Sequence, residues 1–582
     1  MNPARTVFFT IGSLALLCGW PVPADAADAT PSAPKRPAKA AFRVLHSNDA
    51  SNVTNCLSAR FPVRPPVEDK HIRDSVDEVA GHGIDVHMMQ PGRGWTPWWQ
   101  SEVLPMAEHA EWKKSRKNKL REFETYTLEG GDLMRVFVEQ CRKTGQHPFA
   151  SFRMNDQHHL HSLRPPPGKK SGNPSEEEIR LKAGVCPFYV ENPQWRIGED
   201  GVNNLTGRLS MDFAVPQVRE YRIMQIRELV NKYDIDGLEL DFLRHWALFN
   251  QRKTTTKERA QILTGMVRQI REILDAKGAR AGRHLWLGLR IPAYPDGGEF
   301  DKMGIDLPLL AKAGVDIINA SSHYYTDAQI PVARLRKQLP KDVALYAELH
   351  YTNAHGNDAD VGGGKILPAK RRCTPLQLWT TAYLARRRGA DGVSTFNFQY
   401  YRGTYNKSDV AGVPSEPPYE TFDKISDLDW LARQPQHYVA SGNANSMRPK
   451  ERKFPTTIRE GEEKKVFMDM TPPAGGWRAD GKLRIQARNS LGDTVWGAQL
   501  NGVALKPASD VSDPFPTPYP DGLGNPEDYR AWVVPAKLLK DGENLFEFTY
   551  KAGPATVDIR YMDVALPAPA TSGALTGKTA AK

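Results

Sequence analysis

From Phe42 to about residue 430 the chain repeats one unit: a short apolar strand, a polar loop, then a helical stretch. Eight candidate strands can be read, at Arg43–His46, Ile84–Gln90, Pro148–Met154, Gly237–Leu243, Leu285–Ile291, Val315–Ala320, Ala344–Leu349 and Gly392–Phe398. Most follow an amphipathic helix. Before the fourth, Pro216 suits a first turn, and Val215, Val218, Met224, Ile226, Leu229 and Val230 recur at about helical spacing. Thr374-Pro375 opens another helix, and Gly389 closes it just ahead of Asp391-Gly392. Strands alternating with helices make a parallel sheet, and eight such units predict an α/β fold, a (β/α)8 TIM barrel with long loops over residues 42–435. A doubly wound open sheet is the alternative, but no Gly-rich phosphate loop opens any unit.

The pattern then changes. Short strands at 464–470, 482–487, 494–500, 529–534, 545–550 and 556–562, separated by Gly, Pro and Asp turns, predict an antiparallel β-sandwich or jelly roll over residues 445–566. Residues 567–582 read as a disordered tail. At the other end, residues 1–26 read as a signal peptide: Arg5, the apolar run Val7 to Leu17, and the small-x-small site Ala24-Asp25-Ala26. Residues 27–41, rich in Ala, Pro and Lys, read as a flexible leader.

In a (β/α)8 barrel the reactive groups gather at the C-terminal strand ends. The fourth strand lies in Tyr233–Trp246 (YDIDGLELDFLRHW), where Leu238 to Phe242 alternates apolar and acidic residues. Residues two apart share a face, so Glu239 and Asp241 face the same way, with Asp241 nearer the C-terminal end. A structural acid satisfied by a neighbouring Arg or His is the plain reading; two carboxylates on one inward face are costly to bury without a use. The seventh strand, ALYAELH, supplies Glu348. Glycosidic cleavage needs one carboxyl to protonate the leaving oxygen and another as nucleophile or base. Asp241 and Glu348 are the candidate catalytic pair.

Around them, polar groups crowd the strand ends: His46 and Asn48 after the first, Arg153 and Asn155 after the third, and Glu239, Arg244 and His245 on or after the fourth. Arg290 follows on the fifth, His323 and Tyr324 on the sixth, His350 on the seventh, and Asn397 and Gln399 on the eighth. This density suits a polyhydroxylated ligand. The loop after the second strand, Gly92 to Trp99, adds Trp95 and Trp98, whose flat faces stack well on sugar rings or pack the loop down. Asn155 to His161 (NDQHHLH) lacks diagnostic metal-ligand spacing, so hydrogen-bonding roles are expected there, with no metal and no cofactor.

The segments DFAVPQVREYRIMQIRELVNKYDIDGLELDFLRH (Asp212 to His245) and CRKTGQHPFASFRMNDQHH (Cys141 to His159) resemble bacterial glycosyl-hydrolase-like barrel proteins, the group similar to family 10 glycoside hydrolases. The resemblance spans about residues 42 to 430 and implies a barrel with acids on strands four and seven. It implies Asp241 as acid/base and Glu348 as nucleophile, although strand four here reads Leu240-Asp241 where that clan has Asn-Glu. Amylase-like barrels, with a strand-four Asp nucleophile and a His shortly after it, imply the reversed role for Asp241.

The sequence therefore predicts an exported glycoside hydrolase, periplasmic or extracellular, acting on poly- or oligosaccharide. A non-catalytic carbohydrate-binding surface protein on the same scaffold is the alternative. The formal net charge of +10 suits an anionic polysaccharide, and no nucleic-acid motif accompanies it. No apolar run is long enough for a membrane span. Four cysteines remain after the signal, too widely spaced to indicate a pairing. Oligomeric state is not legible.

Overall fold

The computed structural model describes residues 36–569, apart from 56–65, 164–173, 183–184, 199–204, 324, 356–369, 403–415, 441–453, 455, 489, 516, 520–523 and 554–555. Residues 1–26, read from the sequence as a signal peptide, Tyr324 and most of the residues read as a tail lie outside the described residues.

Eight parallel strands close into a barrel in chain order: β1 (Val44–Asn48), β2 (Val86–Met89), β3 (His147–Arg153), β4 (Gly237–Asp241), β5 (Trp286–Pro292), β6 (Ile317–Ser321), β7 (Ala344–His350) and β8 (Gly392–Phe396), with β8 pairing β1. All eight units read from the sequence are present. Each strand is buried almost throughout, as a parallel sheet covered by helices requires. The intervening helices start where the local chemistry says they should. Asp132 caps α1 (Leu133–Thr144), which ends at Gly145 with φ 77°. Pro216 opens α2 (Pro216–Lys232), and Thr255 with Glu258 closes a capping box on α3 (Thr256–Ala281). Thr374 and Gln377 do the same on α4 (Pro375–Arg387).

Alternation along the strands sorts the barrel interior into layers. Leu45, Val86, Met88, Phe149, Ile317, Ala344 and Tyr346 fill the N-terminal end. Gly237 belongs to that floor, because a Cβ there would meet the Phe149 ring at 2.4 Å. Residues 36–41, read from sequence as leader, run under this floor: Arg36 bonds Asp316 at 2.8 Å, Lys39 pairs with Asp391, and Ala40 is buried. Two residues further along each strand the interior turns polar.

The C-terminal module is two antiparallel sheets. One contains β9 (Gln436–Ala440), β11 (Gly481–Ala487), β13 (Tyr529–Val534) and β15 (Val557–Leu566); the other contains β10 (Glu463–Met470), β12 (Val495–Leu500) and β14 (Gly542–Ala552). The sheets thus begin at Gln436, ahead of residue 445, because β9 pairs with β15. Their inner faces share one core that includes Met468, Leu483, Trp532, Phe546, Phe548 and Val564.

Module and barrel meet through apolar packing of Ala328 and Leu384 and through polar contacts. After His350 the chain runs into a hairpin, Thr352–His355 against Lys370–Arg372. Its Arg371 lies over the Tyr561 ring at 3.8 Å and donates to Gln486 at 3.2 Å. Gln377 of α4 contacts His437 and the Tyr561 hydroxyl at 3.4 Å each, and His437 bonds Asp563 at 2.9 Å. Arg388 grips Asp469 through two bonds of 2.8 and 2.7 Å. Among the described residues Cys141, Cys186 and Cys373 are free and buried, and no helix is long and apolar enough to cross a membrane.

Candidate active site

The polar layers above the barrel floor are organised around Arg290, which points inward from β5 and has no solvent exposure. Its Nε donates to Glu348 Oε2 at 2.6 Å and its Nη2 to Glu348 Oε1 at 2.7 Å, a bidentate pair. Its Nη1 reaches Asp241 Oδ1 at 3.1 Å and Oδ2 at 3.3 Å. Phe396 of β8 lies 3.9 Å under the guanidinium. The strand-four and strand-seven acids therefore converge on one cation inside the C-terminal half of the barrel. Asp241 is 2% exposed and Glu348 is fully buried.

Glu348 accepts from three further groups: Ser321 Oγ, Asn319 Nδ2 at 3.3 Å and His350 Nε2 at 2.7 Å. Burial alone would push its carboxyl up, but Arg290 and His350 outweigh that and hold it well below the ordinary range. Burial pushes His350 down despite that carboxylate. Asp241 Oδ1 also caps the turn that follows β4, accepting the backbone N–H groups of Leu243 and Arg244 at 3.0 Å each. Its Oδ2 has longer partners, with Arg153 Nε at 3.8 Å. Arg153 itself is committed to Asp49 at 2.7 Å. Glu239 lies one layer below Asp241 on the same face. It accepts from Ser151 Oγ at 2.7 Å and Asn319 Nδ2 at 3.1 Å, and burial, reinforced by the adjacent Asp241, pushes its carboxyl up to about 7.

A second cluster sits at the rim, where Asp156 and His158 follow β3 and Arg244 and His245 follow β4. Asp156 Oδ1 is 2.5 Å from His158 Nδ1 and 3.5 Å from His245 Nδ1, close enough for the three to share a cation. The hydrogen bonds favour another reading. Arg244 Nη2 donates to His158 Nε2 at 2.8 Å, which puts the ring proton on Nδ1, facing Asp156. His158 then has no lone pair left for a metal, and Arg153 and Arg244 already supply the positive charge. Burial keeps His158 neutral, with its pKa down at about 3. The second His/Asp grouping, His437, Asp513 and Asp563, is likewise served by a guanidinium, Arg484, which bonds Asp513 at 2.7 Å and Asp563 at 3.0 Å.

The other residues expected at the site divide by location. His46 faces away from the barrel interior, opposite Leu45: it bonds Thr395 at 2.6 Å, accepts from Gln399 at 3.1 Å and packs edge-on to His87 at 4.9 Å. Asn52 donates to Asn397 and to Gln399 at 3.3 Å each, and places both in this same outer cluster. Asn48 is buried on the same outward parity as His46. Asn155 spends its amide on the carbonyls of Met211 and Ala247, at 2.8 and 2.7 Å, and so braces the rim. His323 has a left-handed backbone (φ 80°) and donates its N–H to Ser321 at 3.0 Å, behind Glu348. Trp95 and Trp98 are core residues: Arg222 covers Trp95 at 3.6 Å and Phe123 stacks on Trp98 at 4.6 Å. Sequence reasoning passed over Ser151, Asn319, Ser321 and Phe396. Period-two spacing in Ile317, Asn319, Ser321 was the available signal.

No protein-family model matches the chain. Among curated proteins it is similar to the glycosyl hydrolase DigH of Escherichia coli K12, 22% identical over 190 residues, covering 33% of this chain and 36% of that protein. The Shigella flexneri DigH aligns equally, at 22% over 190 residues. The chain thus spans about a third of the length of these curated relatives. Among solved structures it aligns with α-L-fucosidase isoenzyme 1 from Paenibacillus thiaminolyticus at 14% identity, covering 88% of this chain and 97% of that one with a TM-score of 0.34. It also aligns with a GH36 α-galactosidase from Geobacillus stearothermophilus at 12% identity, 90% and 55% coverage and a TM-score of 0.34.

Proposed function

We propose that the chain is a glycoside hydrolase that cleaves O-glycosidic bonds in poly- or oligosaccharide, with Asp241 and Glu348 as its reacting carboxylates. The observation that carries this reading is their convergence on Arg290 from the fourth and seventh strands. The partial similarity to a curated glycosyl hydrolase supports it. The roles follow from the unequal grip of Arg290. Glu348 takes two short bonds and three further donors, which suits a permanent anion: the nucleophile, or the charge opposite a developing oxocarbenium ion. Asp241 has the longer contacts and stands at the strand end, which suits the group that passes a proton to and from the glycosidic oxygen. The family-10-like grouping, export through the N-terminal segment and a preference for anionic polysaccharide belong to the same reading, the last on the net charge of +10.

A non-catalytic sugar-binding protein is the second reading. The same Arg290 pairing favours it, because it ties both acids to a buried cation. A reducing-sugar assay of wild type, Asp241→Asn and Glu348→Gln on neutral, sulfated and uronic polysaccharides separates the two. Hydrolysis that is lost in both variants while sugar binding survives supports the enzyme. Binding by wild type without sugar release supports the second reading.

A further inference from the structure

Three carboxyls, Glu239, Asp241 and Glu348, share the barrel interior around the guanidinium of Arg290, and all three side chains are nearly or fully buried. If all were ionised, two negative charges would stand uncompensated away from water, which is prohibitive. The nearest other cation, Arg153, is spent on Asp49 at 2.7 Å and comes no nearer to Asp241 than 3.8 Å. Arg290 bonds Asp241 and Glu348 directly, whereas the bonds of Glu239 run to neutral groups, Ser151 Oγ and Asn319 Nδ2. Asn319 divides its amide between two acids: Nδ2 lies 3.1 Å from Glu239 Oε2 and 3.3 Å from Glu348 Oε2, while its carbonyl accepts from Ser394 at 2.5 Å.

Building on the hydrolase reading above, we propose that Glu239 is a positioning residue that stores one proton beneath the reacting pair. Through Asn319 it fixes Glu348, and it leaves Arg290 to be shared between Glu348 and Asp241. In the protonated form Glu239 Oε1–H donates to Ser151 Oγ, and Oε2 accepts from Asn319. The charged groups facing it are Asp241 on its own strand, Arg153 on β3, Arg290 on β5 and Glu348 on β7. Loss of the proton to water adds a third anion to this set, draws Arg290 toward Glu239 and loosens its hold on Asp241. Burial and the neighbouring Asp241 set that transition at about pH 7.

Infrared difference spectra of wild type against Glu239→Gln, recorded from about pH 5 to about pH 9, read the proton directly. A protonated-carboxyl C=O band that fades as pH rises through about 7, and that the variant lacks, is the expected result. No such band at the acidic end overturns the proposal. Should the glutamine variant fail to fold, Ser151→Ala replaces it; removing the hydroxyl that also stabilises the anion moves the midpoint upward, and an unmoved midpoint counts against the proposal. In sugar-release kinetics, with each profile scaled to its own maximum, wild type loses rate above about pH 7 and the alkaline limb of Glu239→Gln moves away from that pH. A limb at the same pH in both overturns the positioning role. A band that titrates as expected in a protein that releases no sugar leaves the stored proton standing and sinks the hydrolase reading instead.

Discussion

Arg290 holds Glu348 through two of its nitrogens, Nε at 2.6 Å and Nη2 at 2.7 Å, with both side chains sealed from water. A charge pair of this kind tolerates little editing, and the consequences of changing either partner differ from those of changing Asp241.

Asp241→Asn keeps the shape of the side chain and its place in the turn after β4. Its hydrolytic rate is expected to fall by roughly 10²–10⁴-fold, the usual contribution of a general acid–base group, with little change in melting temperature. Sugar release and thermal denaturation on the same preparation check this. An unchanged rate removes Asp241 from the chemistry.

Glu348→Gln leaves the Arg290 guanidinium buried beside a neutral amide. Breaking one side of a buried ion pair costs about 3–5 kcal/mol, so this variant is expected to lose both rate and denaturant stability. Arg290→Lys should show the same double loss, because a lysine cannot hold Glu348 bidentately while reaching Asp241. Chemical denaturation of the three proteins tests the ranking: Asp241→Asn least affected, the other two most.

Trp95→Ala and Trp98→Ala test core packing against sugar stacking. Both rings sit in the barrel's hydrophobic core, and a large-to-small change there costs roughly 3–5 kcal/mol. Calorimetry should show a marked drop in stability, and sugar affinity in the folded fraction should hold. Selective loss of affinity at unchanged stability would reassign the loop to substrate.

The Asp156–His158–Arg244 chain predicts indifference to chelators. Dialysis against EDTA followed by added zinc is expected to leave melting temperature and any sugar release unchanged, since the His158 lone pair already accepts from Arg244. A zinc-dependent rise in melting temperature that His245→Ala abolishes would reverse this.

A pH signature comes from Glu124. Burial pushes its carboxyl up, but His109 and Lys113 outweigh that and hold it at about 2. Its folded value thus lies below the unfolded one near 4.5, so the pair's contribution is complete above about pH 4.5 and disappears as pH falls toward 2. Melting temperature measured over that interval should fall more steeply for wild type than for Glu124→Gln.

The barrel was legible because each strand is a short apolar run bounded by turn residues, a signal that survives without partners. Asp241 was read from period-two alternation, which assigns a face as well as a strand, and Glu348 and Arg290 from their places at strand ends; the structure brings the three side chains together. What strand ends cannot reveal is which way a residue beyond the last pair turns. His46, read as a strand end, lies in the middle of β1 and faces the helical layer, because Leu45 takes the inward position. Asn397 and Gln399 follow it into the outer cluster. Trp95 and Trp98 misled for another reason: a Gly/Pro loop rich in aromatics reads alike whether its rings meet a ligand or, as here, Arg222 and Phe123. Asn319 and Ser321 went unnoticed because small polar residues inside an apolar run look like interruptions until the layer they build is seen.

The strand that bears Glu348 does not stop at the barrel rim: it feeds a hairpin whose Arg371 rests on Tyr561 of the C-terminal sheets. The sheets are therefore a buttress for the seventh strand rather than a pendant. A chain shortened near residue 435 would leave Arg371 and Gln377 without their counterparts, and the disturbance would enter the barrel two residues from Glu348, at His350. Swapping this module for another would amount to re-tuning the acid at the barrel's centre.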